Sequence, residues 1–215
     1  MLGRMKKIKT PNEHWNAIFS TKVDPELGWY EDDVSQTLKF MDLIPRAEFD
    51  TVFLPGAGTS ALVDQLLNRG HHLILNDISD EALNKLKTRI GKNSKLTWLH
   101  HDISKELPEG ITQADIWIDR AVLHFLRKEA DIQKYFVNLK SAIKSGGYAL
   151  LAEFSTKAPR KCAGLKLHRY SIDEMTRRMG SEFELVKYED YNYINPSGVP
   201  IPYIYALYKK HPTLC

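Results

Sequence analysis

Short apolar runs alternate with helix-like segments along the chain from Thr51 onward. The helix-like segments repeat apolar residues at spacings of three and four, whereas the apolar runs have the length of buried strands. Five strands are predicted, over residues 52–54, 72–76, 96–99, 114–118 and 148–152, and helices over about 60–69, 80–90 and 128–144. Such alternation is typical of an α/β protein with a doubly wound, mostly parallel sheet and helices on both faces.

The last two apolar runs depart from this alternation. Residues 183–191 and 203–208 are joined by Asn195-Pro196-Ser197-Gly198, and no helix is predicted between them. Strands joined by a loop pair antiparallel, because a parallel pair needs a longer crossover. The sequence therefore predicts seven strands that end in a C-terminal antiparallel hairpin.

The N-terminal segment carries an unusual number of aromatic residues. Residues 1–10 form a basic tail, and residues 11–45 form a helical and irregular segment with Trp15, Phe19, Trp29 and Tyr30. Trp15 and Phe19 are four apart, so they share one face of a helix. These aromatics either pack simply onto the core or form a lid over the ligand site, and both can hold. We expect residues 1–45 to be tail and lid, and residues 46–215 to be the core of one compact domain.

Composition and charge exclude several classes. A net charge of +3, spread along 215 residues, gives no argument for nucleic acid as a partner. The apolar runs are too short to span a membrane, and the basic N-terminus lacks the apolar region of a secretory signal. Cys162 and Cys215 form neither a disulfide framework nor a metal-binding pattern. We therefore expect a cytoplasmic protein with no metal site.

The first predicted strand leads directly into a turn with two glycines, Gly56-Ala57-Gly58. Glycine lets the backbone approach a ligand closely, and the helix that follows offers free N–H groups. The turn is either an ordinary glycine turn or a nucleotide-binding turn, since two glycines alone are a weak signal. Asp77 favours the second interpretation, because it follows the turn by about twenty residues, the spacing at which a carboxylate meets a ribose hydroxyl pair.

Acidic residues end three successive predicted strands: Asp77, Asp102 and Asp119. Any one of them is explained as the N-cap of a helix. Together they are expected to gather at the carboxyl edge of the sheet, where α/β proteins bind their ligands. Asp102 is there in a position to accept a hydrogen bond from an exocyclic amine.

From about residue 15 to the C-terminus, the sequence resembles the class I S-adenosylmethionine-dependent methyltransferases. Residues 54–60 match the glycine turn that those enzymes place against the methionine end of the cofactor, and Asp77 and Asp102 match the acids that hold the ribose and the adenine. The resemblance therefore implies S-adenosyl-L-methionine as the cofactor. The residues that it implies as cofactor contacts are Trp15, Phe19, Trp29, Gly56, Ala57, Gly58, Asp77, Ile78, Asp102, Ile103 and Asp119.

One position departs from the family pattern. Pro55 stands where those methyltransferases often have an acidic residue, so a carboxylate near the ammonium group of the cofactor is missing. Asp119 is the expected replacement for that contact.

The N-terminal aromatics resemble the lid of two branches of the family. One branch methylates thiols, thiopurines and related small molecules, and the other methylates lysines of elongation factors and of citrate synthase. By this resemblance, Trp15, Phe19 and Trp29 contact the cofactor. The chemistry agrees, since a sulfonium cation is attracted to aromatic faces and a closed lid excludes water.

The segment that follows the fourth strand is expected beside the transferred methyl group. Within it, His124 is the candidate general base, because the pKa range of histidine suits a thiol or an amine. The alternative is a structural histidine in a buried turn. Arg120 either binds an acidic acceptor or pairs with a nearby acid, and Cys162 is either close to the acceptor or a surface thiol.

The sequence thus favours methyl transfer to a small-molecule nucleophile such as a thiol. A protein-lysine N-methyltransferase is the alternative within the family, and an NAD(P)-dependent reductase or a non-catalytic cofactor-binding module is the alternative outside it. Adenine N6 and glutamine acceptors are disfavoured, because Asp119-Arg120-Ala121-Val122 stands where the asparagine-proline-proline-tyrosine motif of those enzymes is expected. The oligomeric state is left open.

Overall fold

The computed structural model describes residues 10–45 and 51–212. The predicted tail up to residue 9 and Cys215 lie outside these residues. The helices within the described residues are α1 (Pro11–Thr21), α2 (Ser35–Met41), α3 (Leu62–Asn68), α4 (Asp80–Ile90), α5 (Glu129–Ala142) and α6 (Ile172–Met179). Short 3₁₀ turns stand at Asp24–Glu26 and Leu123–Phe125.

The strands are β1 (Thr51–Leu54), β2 (His72–Asp77), β3 (Leu96–His100), β4 (Ala114–Arg120), β5 (Ile143–Phe154), β6 (Lys161–Cys162), β7 (Leu165–Lys166), β8 (Phe183–Ile194) and β9 (Pro200–Lys210). Seven of them form one sheet in the order β3-β2-β1-β4-β5-β9-β8. The pairs among β1 to β5 are parallel, whereas β9 is antiparallel to both of its neighbours. This confirms the predicted sheet and its C-terminal hairpin. The remaining pair, β6 and β7, forms a small hairpin that the sequence pattern did not predict.

The transition from α5 to β5 differs from the prediction. The helix predicted over residues 128–144 ends at Ala142, and Gly146 and Gly147 lie inside β5. A β carbon on Gly147 would lie 2.6 Å from the carbonyl oxygen of Asp115. The glycine is therefore needed where β5 approaches β4, next to an irregularity in the pairing of those strands between Ala114 and Ile116.

The central strands are buried on both faces of the sheet. On one face, Phe53 of β1 stacks on Trp117 of β4, with ring centroids 4.4 Å apart. The indole N–H of Trp117 donates to the hydroxyl of Tyr135 in α5 at 3.0 Å, so the helix is fixed to this face by packing and by a hydrogen bond. On the other face, α2 packs Phe40 against Tyr205 of β9.

The first helix crosses the carboxyl end of β2. Thr10 and Glu13 form a capping box at its N-terminus. Asn16 donates to Asp80 at 2.6 Å and accepts from the hydroxyl of Ser79 at 2.6 Å. These bonds fix α1 to the start of α4, so that its aromatic face covers the edge of the sheet. The division into a lid of residues 1–45 and a core of residues 46–215 stays a prediction.

None of the helices within residues 10–45 and 51–212 is long and apolar enough to span a membrane.

Candidate active site

A cavity of about 630 Å³ opens at the carboxyl ends of strands β1 to β4. Its floor is formed by the turn after β1 and by the ends of β2, β3 and β4, and its cover by α1 and the segment around Trp29. All but one of the eleven residues predicted to contact a cofactor line this cavity; the exception is Asp119.

The glycine turn has the backbone that only glycine adopts without strain. Gly56 and Gly58 have φ values of 55° and 53°. The N–H of Ala57 donates to the carbonyl of Asn76 at 2.8 Å, and the N–H of Gly58 donates to the carboxylate of Asp77 at 2.8 Å. The turn after β1 is therefore tied to the end of β2, and together they form one rigid wall of the cavity.

Asp77 is buried, and backbone groups hold both of its carboxylate oxygens. Oδ2 accepts from the N–H of Gly58 and Oδ1 from the N–H of Ser79, each at 2.8 Å. Burial raises the pKa of this carboxyl to about 6, although these N–H groups oppose the shift. A carboxylate oxygen has lone pairs for more than one donor, so each can still accept from a hydroxyl in the cavity.

Asp102 follows β3 and is fixed through one oxygen. Oδ1 accepts from the N–H of Ser104 at 2.9 Å and from its hydroxyl at 2.7 Å. Ile103 is buried beside it and offers an apolar surface to the cavity. At the end of β2, the carbonyl of Ile78 accepts from the side chain of Asn12 at 2.5 Å, which ties α1 to this end of the site.

Aromatic rings cover the glycine turn. Trp15 makes edge-to-face contacts with Trp29 and Phe125, with centroids 5.5 and 4.7 Å away. Phe19 lies 6.3 Å from Trp29 and reaches to 3.4 Å of the position that a β carbon on Gly58 would take. The aromatic cluster thus extends from α1 down to the turn. Phe125 belongs to it, and the sequence analysis had not singled it out.

The prediction for Asp119 requires correction. Its side chain is fully buried and points to the α5 face of the sheet, where it accepts from the hydroxyl of Tyr135 at 2.5 Å. It also accepts from the N–H groups of Val122 and Leu123 at 3.1 and 3.2 Å. Side chains alternate across a strand, so the neighbouring Arg120 faces the cavity and Asp119 faces away from it.

The prediction of His124 as a general base also requires correction. The imidazole is fully buried between Phe125 and Phe154, and its Nδ1 lies 2.6 Å from Oε2 of Glu153, which is buried as well. Burial lowers the pKa of His124 to about 3 and raises that of Glu153 to about 8. The pair is held neutral overall, and it supports the turn after β4 rather than facing a ligand.

Arg120 pairs with a residue that the sequence did not indicate. Its Nε lies 2.9 Å from Oε2 of Glu31, and its Nη1 donates to the carbonyl of Trp29 at 2.8 Å. Both charged side chains are largely buried and line the cavity. Glu31 was missed because it begins a run of three acidic residues, a pattern typical of an exposed turn.

Cys162 lies in β6, where burial raises the pKa of its thiol. The neighbouring β7 brings Leu165 and Lys166 to the rim of the cavity. Among the described residues, histidine, cysteine and acidic side chains form no group of three or more that is suited to a metal ion.

Comparison with known proteins gives one family match and several matches of fold. Residues 55–149 match the family model of a methyltransferase domain. No curated protein matches the chain. An S-adenosylmethionine-dependent methyltransferase from Anabaena variabilis superposes with a TM-score of 0.75, at 15% identity over 93% of each chain.

Two further solved structures share the fold. The N-methyltransferase NodS from Bradyrhizobium japonicum, in complex with S-adenosyl-L-homocysteine, superposes with a TM-score of 0.69, at 13% identity over 88% of this chain and 93% of that one. The 1,6-didemethyltoxoflavin-N1-methyltransferase from Burkholderia thailandensis superposes with a TM-score of 0.63, at 17% identity over 82% of this chain and 76% of that one.

Identities this low concern the fold alone, and that fold is the seven-stranded sheet with a C-terminal antiparallel hairpin. The matched methyltransferase domain begins at the turn after β1 and extends to β5, so it contains the floor of the cavity. The chain therefore contains a methyltransferase domain over residues 55–149, and it has the class I, Rossmann-like fold of S-adenosylmethionine-dependent methyltransferases.

Proposed function

We propose that this methyltransferase acts on a small-molecule nucleophile, such as a thiol, in the cavity at the carboxyl ends of β1 to β4. One observation carries the proposal. The glycine turn, Asp77 and Asp102 line the same cavity as the aromatic cluster of α1 and Trp29, which covers them. The methyl donor and a small acceptor can therefore bind in the same cavity.

The residues of the cavity fit S-adenosylmethionine. Gly56 and Gly58 carry no side chains, so the backbone of the turn is open to a ligand in the cavity that it lines. In our proposal the turn Gly56–Gly58 holds the methionine end, Asp77 with Ile78 holds the ribose, and Asp102 with Ile103 holds the adenine. When bound, this cofactor supplies an electrophilic methyl group on a sulfonium.

The aromatic cover is expected to attract the positive charge of the cofactor and to exclude water from the site. The faces of Trp15, Phe19 and Trp29 are electron-rich and attract a sulfonium cation. Their edge-to-face packing also excludes water, which strengthens electrostatic interactions inside the site. Together with orientation of the acceptor at contact distance, this supplies most of what a displacement reaction requires.

The histidines that line the cavity are His14 and His101, whereas the predicted base His124 does not line it. A nucleophile that loses its proton readily in water needs no base. A thiol meets this condition better than an alcohol, because the pKa of a thiol such as that of cysteine is about 8.5.

Two observations favour a small acceptor over a protein lysine. The cavity lies under α1, which hydrogen bonds fix across its mouth, rather than in an open channel. Among proteins of the same fold, one methylates 1,6-didemethyltoxoflavin and another is a glycopeptide N-methyltransferase. A lysine-bearing peptide is therefore the second acceptor class to test.

Calorimetric titration with S-adenosylmethionine, S-adenosylhomocysteine and NADH tests the donor. We expect micromolar binding of the first two and none of NADH; binding of NADH alone would contradict the proposal. Release of S-adenosylhomocysteine is then followed with panels of thiols, small amines and lysine-bearing peptides. Turnover with peptides alone would replace the small acceptor by a protein.

A further inference from the structure

The ion pair of Glu31 and Arg120 is built more elaborately than a surface ion pair. Arg120 bridges Glu31, the carbonyl of Trp29 and the hydroxyl of Tyr205, at 2.9, 2.8 and 3.2 Å. Its guanidinium also lies over the ring of Tyr193, 4.7 Å from the centroid. The pair is thus held between the segment around Trp29 and the C-terminal hairpin of β8 and β9.

Each partner keeps one polar atom unused. Oε1 of Glu31 and Nη2 of Arg120 are buried, and neither has a hydrogen-bond partner among residues 10–45 and 51–212. The Glu31 side chain is 8% exposed and that of Arg120 is 12% exposed, and both residues line the cavity. A buried charged group without a full set of partners is costly, so a ligand that satisfies both atoms would gain affinity.

The position of the pair along the sheet separates it from the expected cofactor contacts. Asp102, Asp77 and the glycine turn follow β3, β2 and β1, which are consecutive strands. Arg120 ends β4, the next strand, and its side chain reaches toward Tyr205 of β9, two strands further along. With strands about 4.8 Å apart, the pair lies beyond the methionine end of a cofactor laid over β3 to β1.

Resting on the proposed function, we propose that Glu31 and Arg120 form the recognition site for the methyl acceptor. The site selects an acceptor whose polar group is neutral overall and presents a hydrogen-bond donor beside an acceptor, as a carboxamide or a lactam does. The donor meets Oε1 of Glu31, and the acceptor meets Nη2 of Arg120.

The charges of the pair explain this selectivity. A carboxylate would satisfy Arg120 but would be repelled by Glu31, and an ammonium would satisfy Glu31 but would leave Arg120 without a partner. Like charges and unpaired groups at buried sites discriminate against the wrong ligand. A neutral group with both functions avoids either penalty.

The test uses three benzene derivatives that differ in the charge of their polar group: benzamide, benzoate and benzylamine. Each is titrated calorimetrically into the wild-type protein saturated with S-adenosylhomocysteine. We expect benzamide to bind at least tenfold more tightly than the other two. In Glu31→Gln, benzoate is expected to gain at least tenfold relative to benzamide, and in Arg120→Met benzamide is expected to lose at least tenfold.

The control variant is Glu129→Gln, because Glu129 also pairs with an arginine, at 2.8 Å from Arg178, but lies outside the cavity. It is expected to bind all three ligands as the wild type does. Equal binding of the three ligands by the wild type, or tighter binding of a charged one, would overturn the proposal, and this arm needs no variant to fold.

A second comparison tests whether the pair holds the cofactor instead. Methylthioadenosine lacks the amino-acid end of S-adenosylhomocysteine. If Glu31→Gln and Arg120→Met lower the affinity for S-adenosylhomocysteine tenfold but leave the affinity for methylthioadenosine unchanged, the pair binds the amino-acid end and the proposal fails. If the wild type binds neither compound, the proposed function fails instead, and the three ligands are compared on the protein alone to decide the selectivity of the pair.

Discussion

A β carbon on Gly56 would lie 2.3 Å from Cγ2 of Val122. Gly56 belongs to the turn after β1 and has φ of 55°, whereas Val122 follows β4 and is held by a hydrogen bond from its N–H to Asp119. The ends of the two neighbouring strands therefore touch at a point where no side chain fits. The floor of the cavity depends on this contact.

Substitution Gly56→Ala is expected to destabilise the protein strongly. The left-handed backbone costs an alanine about 1–2 kcal/mol, and the overpacking against Val122 adds about 1–3 kcal/mol. The measurement is the free energy of unfolding in urea. Gly198→Ala is the matched control, because Gly198 has φ of 76° but nothing within 4 Å of the added carbon.

The contribution of the clash is isolated by the double variant Gly56→Ala/Val122→Ala. Removal of the Val122 methyl groups is expected to restore part of the lost stability, so the double variant should be more stable than the sum of the single effects predicts. Strict additivity would show that the backbone alone accounts for the loss.

Substitution Asp77→Asn is expected to weaken S-adenosylhomocysteine binding by about 1.5–3 kcal/mol, the range for hydrogen bonds to a charged group. The amide keeps the shape of the carboxylate but cannot accept through both ends. Calorimetry measures the loss, with Asp64→Asn as control, because Asp64 is half-exposed and pairs with Arg89 outside the cavity. Equal affinities of Asp77→Asn and the wild type would remove the ribose assignment.

The affinity for S-adenosylhomocysteine is expected to fall as the pH falls below about 6. The pKa of Asp77 is about 6 in the folded protein without ligand, and only the ionised carboxylate accepts from both ribose hydroxyls. Each pH unit below this value should weaken binding by up to about tenfold. Calorimetry from pH 5 to 8 measures the slope, which Asp77→Asn should abolish.

The same pKa has the opposite consequence for stability without ligand. A carboxyl whose pKa is raised on folding is protonated more readily in the folded state, so its contribution to stability is present at low pH and lost as the pH rises from about 4 to about 6. Asp77→Asn should remove this component of the pH dependence of unfolding.

The sheet could be predicted from the sequence because strand, turn and helix signals are local, and the same signals predicted the position of Asp77 and Asp102 at the edge where the cavity opens. The direction of Asp119 did not, since β4 is buried on both faces and carries apolar residues such as Ile116, Trp117 and Ile118 at consecutive positions. Without alternation, the pattern gives no indication of which face a side chain takes. The partner of Arg120 was equally unpredictable, because Glu31 is distant in sequence and only the folded protein brings the two together.

Substitution Trp29→Ala is expected to weaken the binding of S-adenosylmethionine more than the binding of S-adenosylhomocysteine. Only the first carries the sulfonium charge, and a cation over an aromatic face gains about 0.5–2 kcal/mol. Both affinities are measured by calorimetry. Trp98→Ala is the control, because Trp98 is a partly buried tryptophan of β3 that contacts Lys87 outside the cavity. Equal losses for the two ligands would show that Trp29 does not face the sulfonium.

Substitution His124→Phe is expected to lower the free energy of unfolding by about 1–3 kcal/mol, the range for a buried polar group that is left without its partner. The phenyl ring fills the space between Phe125 and Phe154 but leaves Glu153 without its imidazole partner. Glu153→Gln acts on the same contact, so the loss in His124→Phe/Glu153→Gln should be smaller than the sum of the two single losses. Urea unfolding of the wild type, His124→Phe, Glu153→Gln and the double variant gives the coupling energy between the two residues.

The same variants separate a structural role of His124 from a catalytic one. Substitution of a general base would lower turnover without loss of stability. A supporting pair behaves in the opposite way, because Glu153 also accepts from the N–H of His124 at 3.1 Å and so holds the turn that carries Val122. Turnover should therefore fall in step with stability in each variant, and the pH profile of the remaining turnover should match that of the wild type.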